Sequence, residues 1–94
     1  MLPIGIIMLN LPDIVTKSEL DSYFQTISTN VKKIRMQKGM SQLEVALSIG
    51  QKSSGFYANA ENYAHDKKFN LEHLCKLAKL FEVNVTIFFN PLSS

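Results

Sequence analysis

Few residues of this chain could carry out acid–base, nucleophilic or metal chemistry, and their spacing does not suit it. His65 and His73 stand eight residues apart, one in a polar segment and one in a segment with helical periodicity, and no carboxylate stands near them at metal-ligand spacing. On a helix, His73 and Cys75 point in different directions and cannot form a nucleophile–base pair. No glycine-rich phosphate loop occurs. We therefore expect no enzyme, no metal and no cofactor.

The charge of the chain is unevenly distributed. The formal net charge is +2 over 94 residues, but residues 1–29 sum to −2, with Lys17 against three acidic residues. Residues 30–94 carry nine Lys/Arg against five Asp/Glu and sum to +4. An anionic partner is therefore expected to bind the second part of the chain. The single cysteine excludes an intrachain disulfide and fits a reducing compartment.

The elements that would position these charges are predicted to be helices. The first helix has apolar residues at steps of three and four, a plausible N-cap at Ser18, and an end at Gly39. We favour one long helix over two helices that meet at Ser28-Thr29-Asn30, which are weak helix formers. The apolar face of this first helix consists of Leu20, Tyr23, Phe24, Ile27, Val31 and Ile34.

Three shorter helices are predicted to follow. Ser41-Gln-Leu-Glu44 is a capping box that starts a second helix, which Gly50 ends. A third helix runs from the Ser53-Ser54 region to Asn62, and residues 63–69 form a polar loop. Asn70 caps a fourth helix, in which Cys75 is expected to be buried. Its apolar stripe consists of Leu71, Leu74, Cys75, Leu77, Ala78 and Phe81.

The segment after the fourth helix allows two interpretations. Val83, Val85, Ile87 and Phe89 alternate with other residues as they would in a strand, yet Asn84 could cap a short fifth helix. The predicted fold is therefore all-α, a compact helix-turn-helix domain of four or five helices. We divide the chain into an arm, residues 1–17, and a domain, residues 18–90.

Two short helices separated by a glycine-containing turn, with helices on either side, are typical of a helix-turn-helix domain. The residues that accompany this layout stand in a fixed order along the chain: Ile34-Arg35, Gly39-Met-Ser-Gln-Leu-Glu-Val-Ala46, Gly50, Glu61-Asn62 and Leu71…Leu74…Leu77-Ala78…Leu80-Phe81…Val83. Through these residues, the sequence from residue 30 to residue 89 resembles the Cro/C1-type (XRE-like, lambda-repressor-like) family. It departs from the family pattern in two ways: one extra residue stands between Gly50 and Glu61, and Tyr63 stands where the family often has a glycine.

The resemblance implies a function in double-stranded DNA binding, with the third helix in the major groove. Counted back from Glu61, the residues that face the bases are Ser54, Gly55 and Asn59; an asparagine amide can pair with adenine and a serine hydroxyl with any base edge. The Phe56 side chain could contact a thymine methyl group, but we assign it to the core of the domain. Phosphate contacts are expected from Gln42, Lys52, Asn62, Lys67 and Lys68. Arg35 and Glu61 are expected to form a structural ion pair.

We expect a transcriptional regulator, repressor-like, that acts as a homodimer, because one monomer offers few base contacts. The alternative is a protein-interaction module that kept the fold and lost DNA binding, since no Arg or Lys stands between Ser53 and Asn62. The apolar start of the arm is too short to cross a bilayer and lacks a basic region and a cleavage site, so we expect a cytoplasmic protein with no membrane partner. The arm is either a strand or a packing segment, and dimerisation is its most economical use. No small-molecule substrate is evident.

Overall fold

A computed structural model describes residues 14–92 of the chain. These residues form four α-helices and a 3₁₀ helix, and no strand occurs among them, which confirms the predicted all-α fold. The elements are α1 (Lys17–Gln37), α2 (Gln42–Ser48), α3 (Gly55–Glu61), α4 (Leu71–Phe81) and the 3₁₀ helix (Val85–Phe89). Most of the arm, and with it the predicted strand, lies outside the described residues. None of the described helices is both long enough and apolar enough to cross a membrane.

The long first helix is a single element, as predicted, but it begins earlier than Ser18. Thr16 is the N-cap: its backbone is extended, with φ −82° and ψ 157°, and its hydroxyl accepts a hydrogen bond from the Glu19 N–H at 3.0 Å. Ser18 lies inside the first turn, so its assignment as the cap is wrong. The spacing Thr16-x-x-Glu19 is that of a capping box and was the better signal in the sequence.

The core lies where α1, α2, α3 and α4 meet. Leu20 and Tyr23, predicted on the buried face of α1, are exposed, because Phe24 is the first residue of that helix to pack against the core and Ile27 is the first that is fully buried. Leu71 and Cys75 are also exposed, since α4 buries only Leu74, Leu77, Ala78 and Phe81 of its predicted stripe. The largest buried apolar side chains are Ile27, Val31, Ile34, Val45, Ile49, Tyr57, Phe69, Leu74, Leu77, Phe81 and Phe88.

Two buried polar side chains join α1 to the rest of the domain. The Ser28 hydroxyl donates to the Ala60 carbonyl of α3 at 2.8 Å. The Asn30 amide donates to the carbonyls of Phe88 and Asn90 at 3.0 and 2.7 Å. These weak helix formers are therefore used for tertiary hydrogen bonds, which explains why they stand in the middle of a long helix.

The segment after α4 forms the short fifth helix, and the strand interpretation is wrong. The Asn84 side chain accepts from the Thr86 N–H at 2.9 Å and caps the 3₁₀ helix. Phe88 is fully buried, whereas Val85 and Ile87 are half-buried and pack against the core. The segment closes the end of the core between α1 and α4.

Candidate nucleic-acid interface

The α2–turn–α3 unit starts and ends on local signals of the sequence. The predicted capping box is present: the Ser41 hydroxyl accepts from the Glu44 N–H at 3.0 Å, and the Glu44 carboxylate accepts from the Ser41 N–H at 2.9 Å. Gly50 has φ +93°, a left-handed conformation that favours glycine. The turn spans residues 49–54, and α3 begins at Gly55, slightly later than expected; Ser54 makes no side-chain cap.

A buried ion pair fixes α3 to α1. Arg35 Nε donates to Glu61 Oε2 at 2.8 Å and Arg35 Nη2 donates to Glu61 Oε1 at 3.0 Å, a bidentate arrangement. The Glu61 side chain is 0% exposed and that of Arg35 is 13% exposed. Arg35 Nη1 also donates to the Met40 carbonyl at 2.8 Å, which joins the α1–α2 turn to the pair. This is the geometry expected of the structural pair.

Two further donors converge on the Glu61 carboxylate. The Tyr57 hydroxyl donates at 2.6 Å and Gln42 Nε2 donates at 3.1 Å. Burial alone would raise the pKa of Glu61, but the hydrogen bonds from Arg35, Tyr57 and Gln42 outweigh it and hold this pKa below its ordinary value of 4.5. Burial, followed by the bond to Glu61, raises the pKa of Tyr57. The Glu61 carboxylate therefore joins α1, α2 and α3. The sequence analysis did not predict that Tyr57 and Gln42 donate hydrogen bonds to it.

The three residues expected to face the bases lie at the start and on the outer side of α3. Gly55 is exposed, and Ser54 and Asn59 are partly exposed. Neither the Ser54 hydroxyl nor the Asn59 amide hydrogen-bonds to another part of residues 14–92, so both retain their hydrogen-bonding capacity. A Cβ at Gly55 would meet only Ser53 Oγ at 3.7 Å, an ordinary contact, and its φ is not left-handed. Neither packing nor backbone conformation therefore requires glycine at this position.

The residues expected to contact phosphates differ in their surroundings. Lys52, Asn62 and Lys67 are exposed, on the turn before α3 and just after α3. Gln42 is half-buried, at the first position of α2, and its amide nitrogen already donates one hydrogen bond to Glu61. An amide nitrogen carries two protons, so one donor of Gln42 remains for a ligand.

Lys68 is less available than the other lysines. Its ammonium lies 2.6 Å from the Asp66 carboxylate, and 5.6 and 5.7 Å from the ring centres of Phe24 and Tyr63. Cation–π contacts of this length are attractive. The structure therefore brings Lys68 toward α1, and its charge is partly neutralised by Asp66.

The loop after α3 is held in an unusual conformation. Tyr63, His65 and Asp66 have φ of 53°, 54° and 56°, in the left-handed region that non-glycine residues rarely adopt. Tyr63 thus adopts a left-handed backbone at the position where the family often has a glycine. Its hydroxyl donates to Asp21 of α1 at 2.6 Å, and this bond raises the pKa of Tyr63 to about 12. The bond to α1 holds the loop against the helix.

His73 has a structural role that the sequence did not reveal. The His73 ring atom Nδ1 accepts a hydrogen bond from the backbone N–H of Asn70 at 3.0 Å. The backbone N–H of His73 donates to Asn70 Oδ1 at 2.8 Å, so the two residues form a second capping box. Its ring packs on Phe56, with centroids 5.0 Å apart, and burial lowers the pKa of His73. Phe56 is accordingly half-buried on the side of α4. Among the described residues, no group of His, Cys, Asp and Glu is arranged to hold a metal ion.

The helix pair, its turn and the outward polar groups of α3 define a DNA-binding helix-turn-helix domain. Residues 31–88, more than half of the chain, match the helix-turn-helix family. The chain belongs to this family, in its Cro/C1-type, XRE-like form. No curated protein and no solved structure matched the chain.

Proposed function

We propose that the protein is a repressor-like transcriptional regulator that binds a specific sequence of double-stranded DNA as a homodimer, with α3 in the major groove. One observation carries this proposal. The Glu61 carboxylate network holds the C-terminal end of α3 against α1 and α2, while the Asn59 amide has no protein partner among residues 14–92. A rigid helix with an unused amide on its outer side suits base recognition.

The base contacts are assigned to Ser54, Gly55 and Asn59. The Asn59 amide would pair with N6 and N7 of an adenine, and the Ser54 hydroxyl would contact a neighbouring base edge. The glycine at position 55 supports this assignment, because neither the packing nor the backbone conformation of the protein requires a glycine there. The absence of a side chain leaves room for the DNA to approach the backbone of α3.

The phosphate contacts are assigned to Gln42, Lys52, Asn62 and Lys67, with a smaller contribution from Lys68. Lys52 and Lys67 are exposed before and after α3, so they flank the groove that the helix would enter. Lys68 contributes less because the Asp66 carboxylate lies 2.6 Å from its ammonium. The remaining donor of Gln42 is oriented by Glu61, which would position it for one phosphate oxygen.

The homodimer completes the proposal. A single α3 offers three base-contacting residues and carries no Arg or Lys. Two copies on a two-fold operator would double these contacts and set the spacing of the half-sites at about one helical turn of DNA. Such a regulator acts on DNA in the cytoplasm. The arm, residues 1–17, is assigned to the subunit interface and residues 18–90 to DNA binding.

Selection of bound fragments from random duplex DNA tests the proposal. The full-length protein should enrich one sequence with two-fold symmetry, and affinity for it should fall steeply with salt because lysines displace counterions from phosphates. Recovery of unrelated fragments after repeated rounds would contradict the proposal and favour the protein-interaction module.

A further inference from the structure

A cleft lies between the α2–α3 turn, the first turn of α3 and the first turn of α4. Its volume is about 370 Å³. Liquid water takes up about 30 Å³ per molecule, so the cleft can admit a group much larger than one water. We refer to this space as the turn cleft, and it is lined by Gly50, Gln51, Lys52, Ser53, Phe56 and His73.

The backbone of the turn fixes one wall of the turn cleft. The Gly50 N–H donates to the Leu47 carbonyl at 3.1 Å, and the Gln51 N–H donates to the Ala46 carbonyl at 3.0 Å. This pair of bonds is the Schellman arrangement, which ends a helix at a left-handed glycine such as Gly50. Residues 51–53 therefore leave α2 in a fixed direction.

His73 forms the opposite wall and presents an oriented donor. Its Nδ1 accepts from the Asn70 N–H, so the neutral ring carries its proton on Nε2. Burial lowers the pKa of His73, which favours this neutral form. The ring packs on Phe56 and Phe69, with centroids 5.0 and 6.2 Å away. Nε2 has no hydrogen-bond partner among residues 14–92, so the domain holds this donor in place without using it.

The other polar groups of the turn cleft also lack partners. Neither the Lys52 ammonium nor the Ser53 hydroxyl bonds to another described residue, and both residues are exposed. Gln51 Oε1 is buried and has no hydrogen-bond partner within residues 14–92. Buried polar atoms without a partner are uncommon in folded domains. Contacts within the described part of the chain therefore do not complete the polar groups of this cleft.

The charge of the lining suits an anion. Lys52 supplies a positive charge, Ser53 and His73 supply donors, and no carboxylate is among the lining residues. Glu72 adjoins His73 in the chain, but its carboxylate is paired with the Lys76 ammonium at 3.0 Å. Hydrogen bonds to a charged acceptor are stronger than those between neutral groups, so an anionic oxygen is the ligand that these donors favour.

The turn cleft adjoins the residues assigned to the bases. Ser53 directly precedes Ser54 in the chain, and Phe56 directly follows Gly55. Phosphates run along both edges of the major groove, so a helix whose first turn enters the groove brings one edge close to the residues just before that helix. The anion nearest to this cleft in a DNA complex would therefore be a backbone phosphate.

We propose that the turn cleft holds one phosphate group of the DNA backbone, to which the Ser53 hydroxyl and His73 Nε2 donate beside the Lys52 ammonium. This inference rests on the proposed DNA binding and adds Ser53 and His73 to its phosphate contacts. A water molecule between Gln51 Oε1 and the phosphate would donate one proton to each, which supplies the donor that Gln51 needs. Contacts from both the turn and α4 would fix the position of α3 along the groove.

Single methylphosphonate substitutions in the selected duplex test the inference. Each substitution replaces one charged phosphate oxygen by an uncharged methyl group, and the affinity of the full chain is measured for every position in turn. One position near the first turn of α3 should cost the wild type about tenfold or more in affinity, because hydrogen bonds to a charged group are lost there.

Two variants show whether that phosphate lies in the turn cleft. At the same position the methylphosphonate should cost Ser53→Ala clearly less than it costs the wild type, because one donor is already absent. It should cost His73→Glu little or nothing, because relief of the repulsion from the new carboxylate offsets the lost contacts. Glutamate at this position keeps the capping box of α4, and thermal unfolding checks that both variants fold.

Matched controls make the same chemical changes outside the turn cleft. His65→Glu changes the histidine of the loop after α3, and Ser18→Ala changes an exposed serine at the start of α1. Neither residue lines the cleft. Both controls should lose as much affinity as the wild type when the sensitive phosphate is replaced.

Three outcomes would overturn the inference, and each is recognisable. Equal losses for the wild type, Ser53→Ala and His73→Glu at every phosphate would remove these residues from the interface, while binding of the selected duplex would remain. Failure to select any duplex would overturn the inference together with the proposed function. Inorganic phosphate alone that shifts the His73 Nε2 resonance at constant ionic strength, without such differences on DNA, would assign the cleft to a free anion instead.

Discussion

Replacement of Glu61 by glutamine should destabilise the domain more than any other single charge change in the described residues. The amide keeps the shape of the side chain but removes its negative charge. The Glu61 carboxylate accepts from Arg35, Tyr57 and Gln42, and all three are donors. A glutamine would present its own N–H donors to at least one of them, and it would leave the Arg35 guanidinium, only 13% exposed, without a counter-charge.

The magnitude follows from the burial of the pair. Breaking a buried ion pair by removing one partner costs about 3–5 kcal/mol. We expect about 3 kcal/mol here, because Arg35 retains some solvent exposure and its bond to the Met40 carbonyl. In a domain of this size about 1 kcal/mol shifts Tm by about 4–8 °C, so Glu61→Gln should lower Tm by about 12–24 °C.

Thermal and urea unfolding followed by circular dichroism measure the effect. The matched control is Glu44→Gln, which makes the same chemical change at an exposed carboxylate in the α2 capping box, where glutamine is also accepted. Its effect on stability should be much smaller than that of Glu61→Gln, because the Glu44 side chain is exposed to solvent. Equal destabilisation by the two substitutions would refute the claim that the Glu61 network holds α3 in place.

The pH dependence provides an independent check on Glu61. Its folded pKa lies below 4.5, so the unfolded chain takes up a proton in this range before the folded protein does. The stabilisation is therefore present above pH 4.5 and is lost as the pH falls through the lowered folded pKa. The difference in unfolding free energy between wild type and Glu61→Gln should shrink over the same range.

Two further predictions concern helix caps. Ser41→Ala should cost about 1 kcal/mol, because it removes the hydroxyl that accepts from the Glu44 N–H; an unchanged Tm would mean that the capping box does not form in solution. Burial lowers the folded pKa of His73 below 6.5, so as the pH falls from 6.5 the unfolded state is protonated first and stability should decline. His73→Gln should remove this decline and keep the cap, whereas His65→Gln should not change it; identical pH profiles for the two variants would contradict this reasoning.

The sequence predicted the features of the fold that depend on neighbouring residues. Ser41 and Asn70 each cap a helix through a residue three positions later, so their roles can be read locally. The same local signal is present at Thr16, two residues before Ser18, so a cap at Ser18 places the start of α1 two residues too late. The resemblance to the family also supplied the Arg35–Glu61 pair, which is joined across 26 positions.

The features that were not predicted depend on what lies opposite a residue in space. Periodicity identified the apolar side of α1, but it could not tell that the contacts with the core begin at Phe24 and leave Leu20 and Tyr23 exposed. Asn30 is buried because carbonyls 58 and 60 positions away accept its amide protons. Nothing near Asn30 in the sequence indicates those partners. The hydrogen bond from Gln42, an expected phosphate contact, to Glu61 was not predicted for the same reason: its partner lies far away in the sequence.

A comparison of Asn59→Ala with Asn62→Ala on DNA tests the central claim most directly. Both remove the same amide, one from the outer side of α3 and one from the exposed residue that ends it. Binding is measured to the selected duplex and to the same duplex with the adenine of each half-site replaced. Asn59→Ala should lose about 1–3 kcal/mol of discrimination at that position, whereas Asn62→Ala should weaken both duplexes equally. Full discrimination by Asn59→Ala would contradict the assignment of α3 as the helix that contacts the bases.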